Sequence, residues 1–312
     1  MVVAIGRRGP ERFEQLPDWP FESVRTEVDV DGTALGLAHV EVGPSGGHPV
    51  VLVHGEPTWG YLYRHLLPVL ADAGVRTIAP DTVGFGRSDV PLDQDWFTYD
   101  RLTEAFGAHL DAIVGDEPIT LVVHDWGGPI GLRWAVANPR RVARLVVLDT
   151  ALYAPGGIPS EAWSAFRRMV ESADELPIGW LVAGGSVQEL SPEVRAAYDA
   201  PFPDAASQAG AKALPLLVPT DDSDPAAAAM WDTLQALREW RHPTLLVWGG
   251  DDRILPPKVA ERWARDVPGC VGLHVLPGAG HFLQEDVGPR IAELIVAHVR
   301  GTDPGPSGDG TG

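Results

Sequence analysis

Short, largely apolar runs recur along the chain, separated by stretches with helical spacing. The runs are Pro49–Val53, Val75–Ala79, Ile119–Val123, Leu145–Leu148, Thr244–Trp248 and Gly272–Leu276, rich in Val, Leu and Ile. Runs this short, with no polar alternation, predict strands buried on both faces, as in a parallel sheet. Between them, Leu102, Phe106, Leu110 and Ile113 repeat at helical spacing, with Thr98 upstream as a candidate cap. Pro129–Asn138, Lys258–Val267 and Pro289–Arg300 are further predicted helices. This alternation predicts an α/β fold with a doubly wound, mostly parallel sheet. Val24–Val30 and Thr33–Val42 alternate polar and apolar positions instead. They predict an antiparallel pair at the sheet edge, turning at Asp31-Gly32.

The rhythm breaks between Ala154 and Ala229, a stretch rich in Ala, Pro and Asp without clear strands. Ser160–Ser172 and Ser191–Tyr198 predict short helices there, so the stretch reads as a helical insertion between two sheet strands. The expected division is a core formed by 1–153 and 230–300, the insertion at 154–229, and a tail at 301–312. The tail sequence GTDPGPSGDGTG offers no apolar side chains beyond prolines and predicts disorder. No internal repeat is present.

Composition narrows the function classes. The 312 residues are 45% hydrophobic, enough for a large core. The net charge of −19 disfavours nucleic acid and anionic membrane surfaces as partners. The single cysteine, Cys270, excludes an internal disulfide framework and any CxxC metal or redox site, and fits a reducing compartment. The segment before Leu16 lacks a signal-peptide apolar core, and no apolar run approaches about eighteen residues. A soluble cytoplasmic protein is the expectation.

The most informative segment is Leu121–Pro129 (LVVHDWGGP), in which a predicted strand enters a tight turn and then a helix. That is the context of a nucleophile elbow, with Asp125 where many hydrolases carry Ser. On its own, the segment fits an acidic residue at a helix N-terminus equally well. Two further segments decide between these readings. His54-Gly55-Glu56-Pro57 follows one strand, and Gly280-His281-Phe282 follows the last, where the base of a nucleophile–acid–base triad belongs in chain order. A carboxylate nucleophile suits displacement at a saturated carbon, giving an alkyl ester. His281 would then activate a water to cleave the ester, with a carboxylate orienting its ring. The backbone N–H groups of Glu56 and Trp126 are placed to hold the resulting oxyanion. His124, next to the nucleophile, reads as structural.

Taken together, these segments resemble the α/β-hydrolase fold and, within it, the haloalkane dehalogenases. The likeness covers nearly the whole chain, through Arg12-Phe13, Leu16–Phe21, His54–Trp59 (HGEPTW), Asp81–Asp89 (DTVGFGRSD), Val123–Gly128 (VHDWGG) and Ala200–Asp204 (APFPD), to about Arg300. Each motif is shared with other hydrolases; the combination is specific. The closer likeness is to the subfamily with Glu56 after His-Gly and the catalytic acid after the later strand. The resemblance implies that the insertion is a cap over the active site. It also implies hydrolysis of a haloalkane by water to alcohol, halide and a proton, with no cofactor or metal. Trp126, a donor-only indole after the nucleophile, is the implied halide ligand, with Trp163 as the second and Trp180 as its alternative. Asp252, in Gly249–Leu255 (GGDDRIL), is the favoured acid; Asp149, where another subfamily carries its acid, is the alternative.

Two other readings compete. An epoxide hydrolase shares the elbow but needs cap phenols, for which Tyr153 and Tyr198 are the candidates. A ligand-binding protein on a hydrolase fold is the other, disfavoured by a complete set of nucleophile, base and acid. Fluoroacetate-type dehalogenases place Arg where Trp126 stands, which argues against that substrate.

Overall fold

A computed structural model describes residues 3–157 and 159–302. In chain order its strands are β1 (Ile5–Gly6), β2 (Ser23–Val30), β3 (Thr33–Val42), β4 (Pro49–Val53), β5 (Arg76–Pro80), β6 (Val90–Pro91), β7 (Ile119–His124), β8 (Val142–Leu148), β9 (Thr244–Gly249) and β10 (Cys270–Leu276). Its α-helices are α1 (Leu67–Asp72), α2 (Tyr99–Ile113), α3 (Gly127–Ala137), α4 (Glu161–Ser172), α5 (Ile178–Gly185), α6 (Pro192–Asp199), α7 (Ala209–Leu217), α8 (Ala227–Leu237), α9 (Lys258–Asp266) and α10 (Leu283–Arg300).

Eight strands form one sheet in the order β10-β9-β8-β7-β4-β5-β3-β2, while β1 and β6 make a separate two-residue ladder. Pairing is parallel from β10 through β5, and antiparallel where β3 meets β5 and β2. β4, β7 and β9 are buried at every position, as their largely apolar runs predict. The hairpin joining β2 and β3 turns on Asp31 and Gly32, both in the left-handed region (φ 48° and 74°), which matches the right-handed twist of the strands. β8 begins three residues before the predicted start, because Arg144 lies in the ladder opposite Thr120 and interrupts the apolar pattern without interrupting the pairing.

Side chains start several helices where expected. Thr98 accepts from the Arg101 N–H (3.2 Å), Ser160 from the Trp163 N–H (3.1 Å) and Ser191 from the Val194 N–H (3.3 Å). α10 starts earlier than predicted, at Leu283, and is interrupted at Val287 (φ −141°) just ahead of Pro289, whose ring cannot continue the ladder. It ends on Gly301 in the left-handed region, with the Thr302 N–H donating to the Ala297 carbonyl (2.9 Å). Residues 301 and 302 therefore form the helix cap rather than the start of a tail; the rest of the expected tail, 303–312, lies outside the described residues.

α4 to α8 lie between β8 and β9; α4 to α7 fall within the expected insertion, and α8 runs across its expected end at Ala229. α5, α7 and α8 escape the sequence pattern. None has a side-chain cap, and their small residues blur the periodicity. Because β4, β7, β8, β9 and β10 run parallel, their carboxyl ends share one edge of the sheet. The loops after them carry Glu56, Asp125, Asp149, Asp252 and His281 to that edge, below the insertion.

Candidate active site

Asp125 follows β7 directly and sits in the left-handed region (φ 47°), a conformation costly for a residue with a Cβ. Backbone bonds hold it there: its N–H donates to the Asp149 carbonyl (3.2 Å), and its carbonyl accepts from the Gly128 N–H (2.8 Å) and the Thr150 hydroxyl (2.6 Å). The strained turn presents the carboxylate to the loop after β4. There the Glu56 N–H donates to Asp125 Oδ1 (2.8 Å), and the Trp126 N–H also bonds the carboxylate. A Cβ on Gly55 would stand 2.2 Å from Asp125 Oδ1, so only glycine lets the two loops meet.

His281 Nε2 lies 3.4 Å from Asp125 Oδ2, and its Nδ1 lies 2.8 Å from Asp252 Oδ2. The other Asp252 oxygen accepts the N–H groups of Ile254 (2.7 Å) and Leu255 (2.9 Å), which fixes the carboxylate toward the ring. Burial disfavours the charged imidazole. The Asp252 charge, then the hydrogen bonds to Asp125 and Asp252, outweigh it and hold His281 well above the ordinary histidine range. Burial likewise opposes the Asp125 carboxylate, but the bond and charge of His281 keep its pKa below the usual value.

Asp149 reaches the same centre, with one atom each of Asp149, Asp252 and His281 within 4.8 Å of one another. It does not bond the ring. Its two oxygens accept the Gly249 N–H (2.9 and 3.2 Å), and burial, then the Asp252 charge, push its pKa well above the usual carboxylate range. Glu56 is pushed the same way by burial and then by Asp125, and its Oε1 has no hydrogen-bond partner among the described residues. Burial and the neighbouring carboxylates thus oppose ionisation of Asp149 and Glu56, whereas His281 favours the ionised form of Asp125.

His54 and His124 support the site from below. The Thr82 N–H donates to His54 Nε2 (3.0 Å), so Nδ1–H of that ring donates to the Gly55 carbonyl (2.9 Å). Burial, then the neighbouring His281 charge, lower His124 to about 4. Its neutral ring donates from Nε2 to the His281 carbonyl (2.8 Å), fixing the His281 backbone.

Beside Asp125 opens a cavity of about 850 Å³, lined by Trp126, Pro129, Trp163, Met230 and Leu234 among others. Trp126 and Trp163 thus face one space, whereas Trp180 is 64% exposed beneath Arg195 and is not part of the lining. Trp263 lines the cavity too, but its indole N–H donates to the Thr150 carbonyl (3.2 Å). Of the two phenols, Tyr153 lines the cavity and donates to Asp222 (2.6 Å). Tyr198 is buried outside the lining, against Glu285. Asp251 accepts the Gly278 N–H (2.9 Å) and ties the loops after β9 and β10. The walls given by α8 and by Trp263 carry no sequence signal of their own.

Residues 48–286 match the family model described as alpha/beta hydrolase fold. The chain is 42% identical over 296 residues to a haloalkane dehalogenase of Mycolicibacterium paratuberculosis, covering 93% of this chain and 97% of that one. The chain belongs to the haloalkane dehalogenases. These are α/β-hydrolase-fold enzymes that hydrolyse carbon–halide bonds. A second dehalogenase, from Mycobacterium marinum, is 42% identical over 295 residues, covering 94% of this chain and 99% of that one. Among solved structures, the haloalkane dehalogenase DpaA from Paraglaciecola agarilytica NO2, described as tetrameric, superposes with a TM-score of 0.86 at 30% identity, covering 93% of this chain and 97% of that one. Among the described residues, no helix of this dehalogenase is long and apolar enough to cross a membrane.

Proposed function

We propose that this dehalogenase converts a haloalkane and water into an alcohol, a halide and a proton through a covalent ester on Asp125. The observation that carries the reading is the chain of contacts from Asp252 through His281 to Asp125 beside a largely apolar cavity, with aspartate rather than serine at the elbow. Asp125 Oδ2, the oxygen not held by the Glu56 N–H, attacks the saturated carbon. The carbon–halogen bond breaks and the halide leaves with the electron pair. Trp126 and Trp163 stabilise the leaving halide, because an indole N–H donates without offering a competing acceptor.

In the free enzyme His281 lies between Asp125 and Asp252, whose charges and hydrogen bonds favour its protonated form. Alkylation makes Asp125 neutral and removes one of the charges that hold the proton on the ring. The ring then gives up its proton, and Nε2 takes one from the water that attacks Asp125 Cγ. Negative charge grows on Oδ1, facing the N–H groups of Glu56 and Trp126. The Cγ–O bond to the alkyl group breaks, the alcohol takes the proton from His281, and the Asp125 acid ionises. Asp252 holds the ring's orientation through both steps.

In this reading 154–229 act as the cap, and 1–153 with 230–300 supply the core. A cytoplasmic setting is the one that the lone Cys270 fits. The epoxide-hydrolase alternative loses support because the two candidate phenols are engaged by different carboxylates and only Tyr153 lines the cavity. A panel of bromoalkanes and epoxides tests the proposal. Stoichiometric bromide release supports it; epoxide opening without halide release would overturn it.

A further inference from the structure

One carboxylate outside the reacting groups joins the insertion to the loop of the base. Asp286, five residues after His281, accepts backbone N–H groups from two separate segments. Its Oδ2 takes the Gly280 N–H (2.8 Å), from the residue immediately before His281. Its Oδ1 takes the N–H groups of Val187 (2.9 Å) and Gln188 (2.6 Å), just beyond α5 in the insertion. The same two segments meet again where the Phe282 N–H donates to the Gly185 carbonyl (3.3 Å). A Cβ on Gly280 would stand 2.4 Å from that carbonyl oxygen, so the backbones are in contact.

An acidic residue in the first turn of α10 has an ordinary explanation, as a favourable charge at a helix N-terminus. The donors argue against that being its whole role, because they come from the base loop and the insertion rather than from the first turn of α10. We propose that Asp286 is a positioning residue. It clamps the His281 loop to the insertion and so sets the distance between the imidazole and the ester. The proposal rests on His281 acting as the base of the second step. Bonds to a carboxylate are shorter and stronger than those to a neutral acceptor. An amide at this position keeps one acceptor oxygen and turns its NH2 group toward an N–H donor. Displacement does not use His281, so the clamp acts on ester hydrolysis alone.

The test follows halide release and ester decay in single turnovers of Asp286→Asn and Val187→Pro, with His281→Phe as reference and circular dichroism as the check on folding. Val187→Pro removes one donor from the insertion side and carries the same comparison if Asp286→Asn does not fold. We expect first-turnover halide release within about twofold of the parent and ester breakdown slowed about tenfold in Asp286→Asn, less in Val187→Pro. kcat should fall while kcat/KM is kept, a split that general loosening of the fold does not produce. Parental ester breakdown in the folded variants, or both steps slowed alike, would overturn the clamp. Failure of His281→Phe to accumulate ester would instead overturn the assignment of the base on which it rests.

Discussion

His281 Nδ1 lies 2.8 Å from Asp252 Oδ2, while Asp149, within reach of the same ring, directs both oxygens to the Gly249 N–H. Two acids therefore occupy the same edge of the sheet with different partners. Asp252 meets the ring of His281, and Asp149, whose ionisation burial and Asp252 oppose, packs behind it. Asp252→Asn should slow ester breakdown about a hundredfold or more and accumulate the alkyl-enzyme, because the imidazolium loses its counter-charge. Asp149→Asn, isosteric with a neutral acid, should keep turnover within about threefold. Rapid-quench measurement of the ester in both variants checks the pair, and the reverse pattern would move the acid to Asp149.

The charge arrangement fixes a pH signature. Displacement needs Asp125 ionised, and that group is held below its ordinary 3.8. kcat/KM, which reports the first irreversible step, should therefore stay flat from neutral to mildly acidic pH. Hydrolysis needs His281 neutral in the ester, where the Asp125 charge no longer raises it. The single-turnover rate of ester breakdown should rise with pH and level off at a lower pH than the free-enzyme His281 titration. Imidazole NMR of the free enzyme against stopped-flow ester decay makes the comparison; coincident midpoints would contradict it.

Asp149 also sets a stability signature. Its folded pKa lies above the unfolded value near 3.8, so above that value the unfolded chain releases a proton that the folded chain retains. Stability contributed by this group is present at low pH and lost as pH rises toward the folded pKa. Asp149→Asn removes the loss. Its Tm relative to the parent should be higher at pH 8 than at pH 4, by about 2 °C or more. A difference independent of pH would show that Asp149 is ionised in the fold.

The two tryptophans of the cavity predict a halide response. Trp126→Phe and Trp163→Phe keep an aromatic ring and remove the N–H. Each should slow displacement by about tenfold or more. Bromide should quench the intrinsic fluorescence of the parent and quench the variants less. An unchanged rate and unchanged quenching in Trp163→Phe would remove it from the halide site.

The sheet is legible in the sequence because strands buried on both faces leave runs such as Val50–Val53 and Leu245–Trp248 without a polar residue. The elbow is legible because strand, tight turn and helix coincide at Asp125. Legibility fades where structure depends on tertiary contact. α5, α7 and α8 start without side-chain caps, so nothing local marks them. Asp149 and Asp252 look alike as residues ending strands; their roles diverge only through which N–H groups each accepts and which one meets the ring. His124 and Asp286 act through backbone atoms distant in sequence, the His281 carbonyl and the Val187 and Gln188 N–H groups, and no spacing rule exposes such partners.

The covalent ester on Asp125 is the central claim, and a single turnover in heavy-oxygen water tests it most directly. With enzyme in excess over a bromoalkane, the ester forms with an Asp125 oxygen, and the attacking water then leaves its oxygen in the carboxylate. The account predicts alcohol with unlabelled oxygen and label in the peptide that carries Asp125. Labelled alcohol from the first turnover, with the Asp125 peptide unlabelled, would mean that water attacks the substrate carbon directly and would contradict the account.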